Sequence, residues 1–255
     1  MTPQLSMPKI MYGTAWKKER TAELVVQAVK AGFRGIDTAC QPKHYREDFV
    51  GKAISTLIGQ GVVKREELYI QTKFTSIDGQ DRSQPLPYDP KAPIPEQVKQ
   101  SFATSLKNLG VEYIDSVVLH SPLPTRDQTL QAYRTLEDFV SEGKVRKLGV
   151  SNCYDPKLLT WKRLGLERVQ YMFGERHSVP VILDAVRVGL TDLANKYSLT
   201  PEQTVYKLCQ LWNITPLCGS KSLAHVNEAI AVEGATGLTE DTPEVKQLWD
   251  AMHGV

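Results

Sequence analysis

Asp37, Tyr45, Lys73 and His120 carry acid, base or charge chemistry, and each ends or follows a short apolar run that reads as a β-strand. A phenol titrates near 10, so a tyrosine gives up a proton at neutral pH only where a neighbouring cation favours its anion. Lys73 can supply that cation. A lysine in a partly buried mouth needs a carboxylate to hold its charge, for which Asp37 is the candidate, and His120 can orient a carbonyl oxygen by a hydrogen bond. The set suits protonation of a carbonyl while hydride arrives from a cofactor. Taken singly, each residue has an ordinary explanation: strand-end cap, surface charge, core histidine, amphipathic lid residue. The ordered set is what carries information.

Such residues need strands to deliver them to one place. Leu24, Val25, Ala28 and Val29 recur at helical spacing, stop at Gly32, and lead into Phe33-Arg34-Gly35-Ile36-Asp37. The cycle repeats with Val50, Ala53, Ile54 and Leu57 before Leu68-Tyr69-Ile70-Gln71-Thr72-Lys73. It repeats again with Val98, Phe102, Leu106 and Leu109 before Tyr113-Ile114-Asp115-Ser116-Val117-Val118-Leu119-His120. A fourth helix bearing Leu130, Tyr133, Leu136 and Val140 stops at Gly143 ahead of Val145-Arg146-Lys147-Leu148-Gly149-Val150. With an opening strand over residues 8–12, a helix near 158–164 and a strand over 168–173, the chain predicts six strands by residue 173. Alternating helix and strand means a parallel sheet. No strand is followed by a Gly-rich dinucleotide fingerprint, so a (β/α)8 TIM-type barrel leads over an open doubly wound sheet.

Further on, Thr200-Pro201-Glu202-Gln203 is a capping box opening a helix to Trp212. Residues 213–217 form a strand candidate ending at Cys218-Gly219-Ser220-Lys221, and a last helix begins near Thr242. Pro85, Pro87, Pro90 and Pro93 make residues 75–94 a non-helical loop over the barrel mouth. Trp161 and Trp212 share helical spacing with Leu158 and Leu208 and read as core.

A chain of 255 residues can bury a full core as one domain spanning 1–255. The net charge of +2 leaves no footprint for nucleic acid or an anionic membrane, and no stretch is long and apolar enough to span one. A small-molecule partner, a cytoplasmic location, and a monomer or weak oligomer are the expectations. Cys40, Cys153, Cys209 and Cys218 are widely spaced with no neighbouring ligands at metal spacing, so no metal is expected and the thiols read as reduced.

Several of these segments resemble the aldo-keto reductase family of NAD(P)H-dependent barrel enzymes. The likeness runs through Gly35-Ile36-Asp37-Thr38-Ala39, His44-Tyr45 with Val50-Gly51-Lys52-Ala53, Gln71-Thr72-Lys73, Leu119-His120-Ser121-Pro122 and Gly149-Val150-Ser151-Asn152. It implies reduction of an aldehyde or ketone, with Tyr45 as general acid, Lys73 lowering its pKa, Asp37 pairing with Lys73, and His120 binding the carbonyl. It further implies that Ser151, Asn152 and Gln170 hold the nicotinamide, with Asp37 beside it. Gly219, Ser220 and Lys221 would contact the adenosine phosphate of NADP (or NAD), with Glu228 on the adenine side. Thr14 and Trp16 would shape the substrate pocket.

The chain departs from the family pattern in three places. Tyr45 follows Asp37 by eight residues rather than five, an insertion near 41–43 that resembles fungal-type members, and His44 is the fallback acid. The places where the family often has a lysine and an arginine on the 2′-phosphate hold Gly219 and His225. Residues 174–191 are too few for a crossover and a further strand, so the barrel is expected to lack about one βα unit there. That shortening motivates an alternative, a non-catalytic or degenerate relative acting as a cofactor-binding or interaction protein. A barrel aldolase using Lys73 as a Schiff-base amine is a third reading, disfavoured because Asp37 should keep Lys73 protonated.

Overall fold

The computed structural model describes residues 6–153, 169–172 and 183–253. Its strands are β1 (Met11–Gly13), β2 (Gly35–Asp37), β3 (Tyr69–Phe74), β4 (Ile114–Leu119), β5 (Val145–Ser151), β6 (Val169–Met172) and β7 (Leu217–Cys218). The helices are α1 (Thr21–Ala31), α2 (Glu47–Gly59), α3 (Ile94–Leu109), α4 (Arg126–Ser141), α5 (Leu183–Tyr197), α6 (Pro201–Leu211), α7 (Leu223–Ala231) and α8 (Pro243–His253). The six strands expected by residue 173 are all present. The first starts at Met11 rather than at residue 8, and its Met11 amide donates to the carbonyl of Pro216.

The helices begin and end where the sequence supplies caps. Thr125 and Thr200 each accept from the amide three residues on, while Gln128 and Gln203 reach back to complete capping boxes. At the other end of α3, Gly110 adopts φ +66°, a left-handed conformation that glycine takes without a Cβ clash. Leu24, Val25, Ala28 and Val29 form the buried stripe of α1, as their spacing requires.

All strand pairs are parallel, in the order β6-β5-β4-β3-β2-β1-β7. Strands β1 to β5, joined in turn through α1 to α4, give the TIM-type arrangement, which puts the strands' carboxyl ends at one mouth. The sheet ends on β6 at one edge and β7 at the other, and these do not pair among the described residues. Between them the chain runs from α5 through residues 198–200 directly into α6, with no strand in that stretch. Among the described residues the barrel is therefore not closed, with an open seam between β6 and β7. Of the candidate strand 179–183, only Leu183 falls within the described residues, and it begins α5. The helix expected near 158–164 and Trp161 lie outside them.

At the amino-terminal end of the sheet, Asp115 is fully buried and accepts from Arg65 at 2.8 Å, Arg146 at 2.9 Å and the Ile70 amide at 3.0 Å. Both guanidiniums also lie against the Tyr113 ring, at 4.0 and 4.3 Å. Tyr113-Ile114-Asp115 thus fastens three strands at the end away from the mouth.

The proline-rich segment contains one short 3-10 turn, Ile77–Gly79, and is otherwise irregular. It is pinned rather than loose. Tyr88 donates to the Thr75 carbonyl at 2.8 Å, and Gln80 donates to the Cys40 carbonyl at 2.9 Å. Gln41, in the inserted stretch, donates to the Gly79 carbonyl at 2.6 Å.

Candidate active site

Asp37 closes β2, Lys73 is the penultimate residue of β3 and His120 follows β4, so pairing of adjacent parallel strands brings the three together. Lys73 Nζ donates to both carboxylate oxygens of Asp37 at 2.7 Å and to the Thr38 carbonyl at 2.9 Å. Gln71, one step down the same face of β3, donates to Asp37 at 2.8 Å. Both charges are buried. Burial alone would depress the Lys73 ammonium; the Asp37 carboxylate and the Tyr45 hydroxyl outweigh it and hold its pKa above the ordinary lysine value.

Tyr45 comes from the inserted loop, where its amide donates to the Gln41 carbonyl at 3.0 Å. Lys73 Nζ sits 5.0 Å from the centre of its ring, and the two side chains hydrogen-bond. On the other flank His120 meets Tyr45 edge-on, with ring centres 6.1 Å apart. His120 Nδ1 shares a 2.7 Å hydrogen bond with the Thr75 hydroxyl. Burial, then the charge of Lys73 and the nearby His44, push its pKa down to about 3, so at neutral pH the imidazole is uncharged. It can donate or accept one hydrogen bond without competing with Lys73 for the charge.

His44 goes elsewhere. Its ring stacks on Trp16 at 3.6 Å between centres, and its carbonyl accepts from the Trp16 amide at 2.8 Å. The insertion thus turns Tyr45 toward Lys73 and His44 toward the exposed Trp16 indole. Thr14 is buried and donates through both amide and hydroxyl to the Asp37 carbonyl, at 3.0 and 2.9 Å. It supports the strand end and does not line the mouth. A cavity of about 320 Å3 adjoins His120, walled by Thr75, Ser76, Asp78, Ser121 and Leu123. Another cavity, about 400 Å3 between Trp212 and Trp249, is remote from these residues and is not the site.

Ser151 ends β5, and Asn152 follows in a left-handed conformation, φ +52°, donating to the His120 carbonyl at 2.8 Å. Gln170 lies on β6 in register with Gly149. Gly219, Ser220 and Lys221 follow β7, on the other side of β1 from Asp37. Here the sequence reading missed a residue. Lys17 is buried, donates to the Gly219 carbonyl at 2.9 Å, and lies 4.9 Å from the Tyr12 ring, while Tyr12 donates to the Ser220 carbonyl at 2.8 Å. Burial foremost lowers the Lys17 ammonium to about 8, against an opposing effect of Cys218 and with a lesser contribution from Lys221. The adjacent Lys18 is exposed, and no sequence signal separates the two. Glu228 lies on α7, where its carbonyl accepts from Gln203. All four cysteines are free, and among the described residues no helix is long and apolar enough to cross a membrane.

The arrangement provides a phenol, a cation against it, a buried counter-charge and a neutral imidazole around one opening. Comparison with known proteins fits that chemistry. Methylglyoxal reductase DkgA of Yersinia pestis is 32% identical over 153 residues, covering 60% of this chain and 47% of the relative. An uncharacterized oxidoreductase of Saccharomyces cerevisiae is 34% identical over 166 residues, covering 62% and 53%. The chain thus spans about half the length of these relatives. An aldo/keto reductase from Brucella melitensis superposes with TM-score 0.75 at 22% identity, covering 96% of this chain and 95% of that one. A Bombyx mori aldo-keto reductase in complex with NADP superposes at TM-score 0.71 and 22% identity, covering 97% and 90%. The sequence profile of the Aldo/keto reductase family matches residues 9–215, and the chain belongs to that family.

Proposed function

We propose that this protein reduces an aldehyde or ketone to an alcohol with NADPH, or NADH in its place. Tyr45 is the proton donor, Lys73 the cation beside it, Asp37 the counter-charge and His120 the guide for the carbonyl oxygen. The observation that carries the reading is Lys73 gripped by Asp37 at 2.7 Å while lying against the Tyr45 ring. A protonated lysine held this way favours the phenolate left after proton transfer. The same grip argues against Lys73 as a Schiff-base nucleophile.

The residues present fit a dinucleotide. Space beside Gly219 is open, since a Cβ there would meet nothing within 4 Å. Lys17 and Lys221 place two cations at that end, suited to phosphate, while Ser151 and Asn152 at the end of β5 and Gln170 on β6 are the residues for the nicotinamide, with Trp16 left to the substrate. Bound there, the cofactor supplies a hydride to the carbonyl carbon. The chain's own residues do the rest: neutral His120 fixes the carbonyl oxygen, Tyr45 moves its hydroxyl proton to that oxygen, and Lys73 steadies the anion. We place the reaction in the cytoplasm, on a small carbonyl compound of secondary metabolism, with no nucleic acid or membrane partner.

The test is loss of NADPH absorbance with a panel of carbonyl compounds. Turnover should fall by about 10²- to 10⁴-fold in Tyr45→Phe, the range for losing a general acid, while nucleotide binding is retained. The open seam between β6 and β7 favours a second reading, a relative that binds the cofactor without turning over. Fluorescence titration separates the two: tight NADPH binding with no turnover in the unaltered protein selects the second.

A further inference from the structure

Behind the catalytic residues lies a buried carboxylate to which the mechanism gives no part. Glu47 is the first residue of α2 and is shielded from solvent. Its Oε1 accepts from the Thr72 hydroxyl at 2.5 Å and from the Ser105 hydroxyl at 3.0 Å. Its Oε2 accepts from Ser105 at 3.2 Å and from Asn108 at 3.4 Å. The Cys40 thiol is also within hydrogen-bonding reach. Among the described residues no cation pairs with it; its neighbours are neutral donors, and Arg46 beside it in sequence is turned to Asp48 at 2.7 Å. Burial pushes the Glu47 pKa up against the pull of these hydrogen bonds, and a buried polar group is costly, so an apolar side chain would be the cheaper filler if packing were the whole requirement.

The addresses of those donors suggest another requirement. Cys40 lies three residues after Asp37, Glu47 two after Tyr45, and Thr72 immediately before Lys73. One carboxylate therefore joins the three chain segments that carry the ion pair and the phenol, from the helix-facing side of the sheet. Tyr45 most needs such a tie. It rides on an irregular loop ahead of α2, whereas Asp37 and Lys73 are fixed by strand pairing. Ser105 and Asn108, from α3, complete the carboxylate's hydrogen bonds and carry no catalytic group.

We infer that Glu47 is a positioning residue: through Thr72 it sets the distance between the Tyr45 phenol and the Lys73 ammonium. This rests on the reading of Tyr45 as proton donor. Glu47→Gln keeps the size but presents an amide donor to donors, so at least one tie is lost. Thr72→Val removes only the hydroxyl that links to the catalytic strand. Ser105→Ala removes a donor from α3 alone and should loosen packing without moving the phenol.

The experiment is NMR of protein labelled with 13C at tyrosine Cζ and at the lysine side chains, with Tyr45→Phe identifying the Tyr45 signal. It is run alongside thermal melting and steady-state kinetics on the full chain. Glu47→Gln and Thr72→Val should move the Tyr45 resonance and weaken its through-space contact with Lys73. They should also cut kcat by about tenfold to a hundredfold, the scale of a small misplacement, with KM nearly unchanged and the pH profile displaced. Ser105→Ala should lower the melting temperature and leave the Tyr45 signal in place. If Glu47→Gln does not fold, Thr72→Val decides. The inference is overturned if Tyr45 keeps its resonance in folded Thr72→Val, or if Ser105→Ala shifts it equally, which would mean general loosening. Absence of turnover in the unaltered protein would count against the reductase reading, while the resonance measurements still decide the role of Glu47.

Discussion

His120 and Lys73 are neighbours with opposite electrostatic fates, and the difference comes from partners. Lys73 has a carboxylate at 2.7 Å that offsets its burial, whereas His120 has only a hydroxyl and faces Lys73's own charge. The imidazole pKa is therefore lower in the folded protein than in the unfolded chain, and the unfolded state binds more protons as pH drops. Stability from this group is fully present above the ordinary histidine value and is lost progressively as pH falls toward about 3. Over that whole window the effect is at most about 4 kcal/mol, and roughly 2 kcal/mol should be lost between pH 7 and 5. Urea unfolding of the protein and of His120→Gln at those two pH values measures it. The variant should lose distinctly less stability on acidification, and equal losses would mean that the imidazole is not held neutral by the fold. Lys17 shows the limit of reading single residues in sequence: nothing in Trp16-Lys17-Lys18 distinguishes the buried lysine from the exposed one.

At the scale of elements, α2 and α3 approach so closely that one glycine is obligatory. A Cβ on Gly51 would lie 2.1 Å from the Asn108 carbonyl oxygen, a contact with backbone that no rotamer change relieves. Gly59, at the end of the same helix, would gain a Cβ with nothing within 4 Å. Gly51→Ala should therefore cost about 1–3 kcal/mol or more, as overpacked sites do, whereas Gly59→Ala should be neutral or add up to about 1 kcal/mol by restricting the unfolded chain. Denaturant midpoints of the two variants check the contrast. The helices themselves were legible because Leu24, Val25, Ala28 and Val29, or Val50, Ala53, Ile54 and Leu57, repeat at one turn's spacing. The strand-end residues were legible because parallel strands deliver single side chains to a common mouth. What could not be read was any tie between distant segments. Glu47 with Thr72 and Ser105, or Gly51 with Asn108, depends on how closely two helices cross, and periodicity carries no such distance. The orientation of His44 and Tyr45 was open for the same reason: an inserted loop has no register until its hydrogen bonds to Gln41 and Trp16 are seen.

For the whole molecule, the open seam has an energetic counterpart in a divided core. The main cluster joins β1 to β5 with α1 to α4 and reaches Val226 and Ala229 on α7. A second, small cluster holds Leu193, Leu208, Leu238, Val245 and Leu248, from α5, α6, α8 and the turn before α8. Among the described residues only α6 serves both, with Tyr206 packed on the main cluster and Leu208 in the small one. In sequence this division shows only as irregularity after residue 173, because each helix there is amphipathic in the ordinary way. A group of helices sharing a few leucines and meeting the rest of the fold through one helix should open on its own before the barrel unfolds. Native-state hydrogen exchange is expected to give residues 183–211 and 243–253 lower opening free energies than β3 and β4. Leu193→Ala, which removes a nearly fully buried side chain, should cost about 2–5 kcal/mol. That loss should appear as faster exchange in α5, α6 and α8, while β3 and β4 keep the protection of the unaltered protein. If the variant instead lowers protection in every element by the same amount, the two clusters unfold as one unit and the seam does not divide the stability of the molecule.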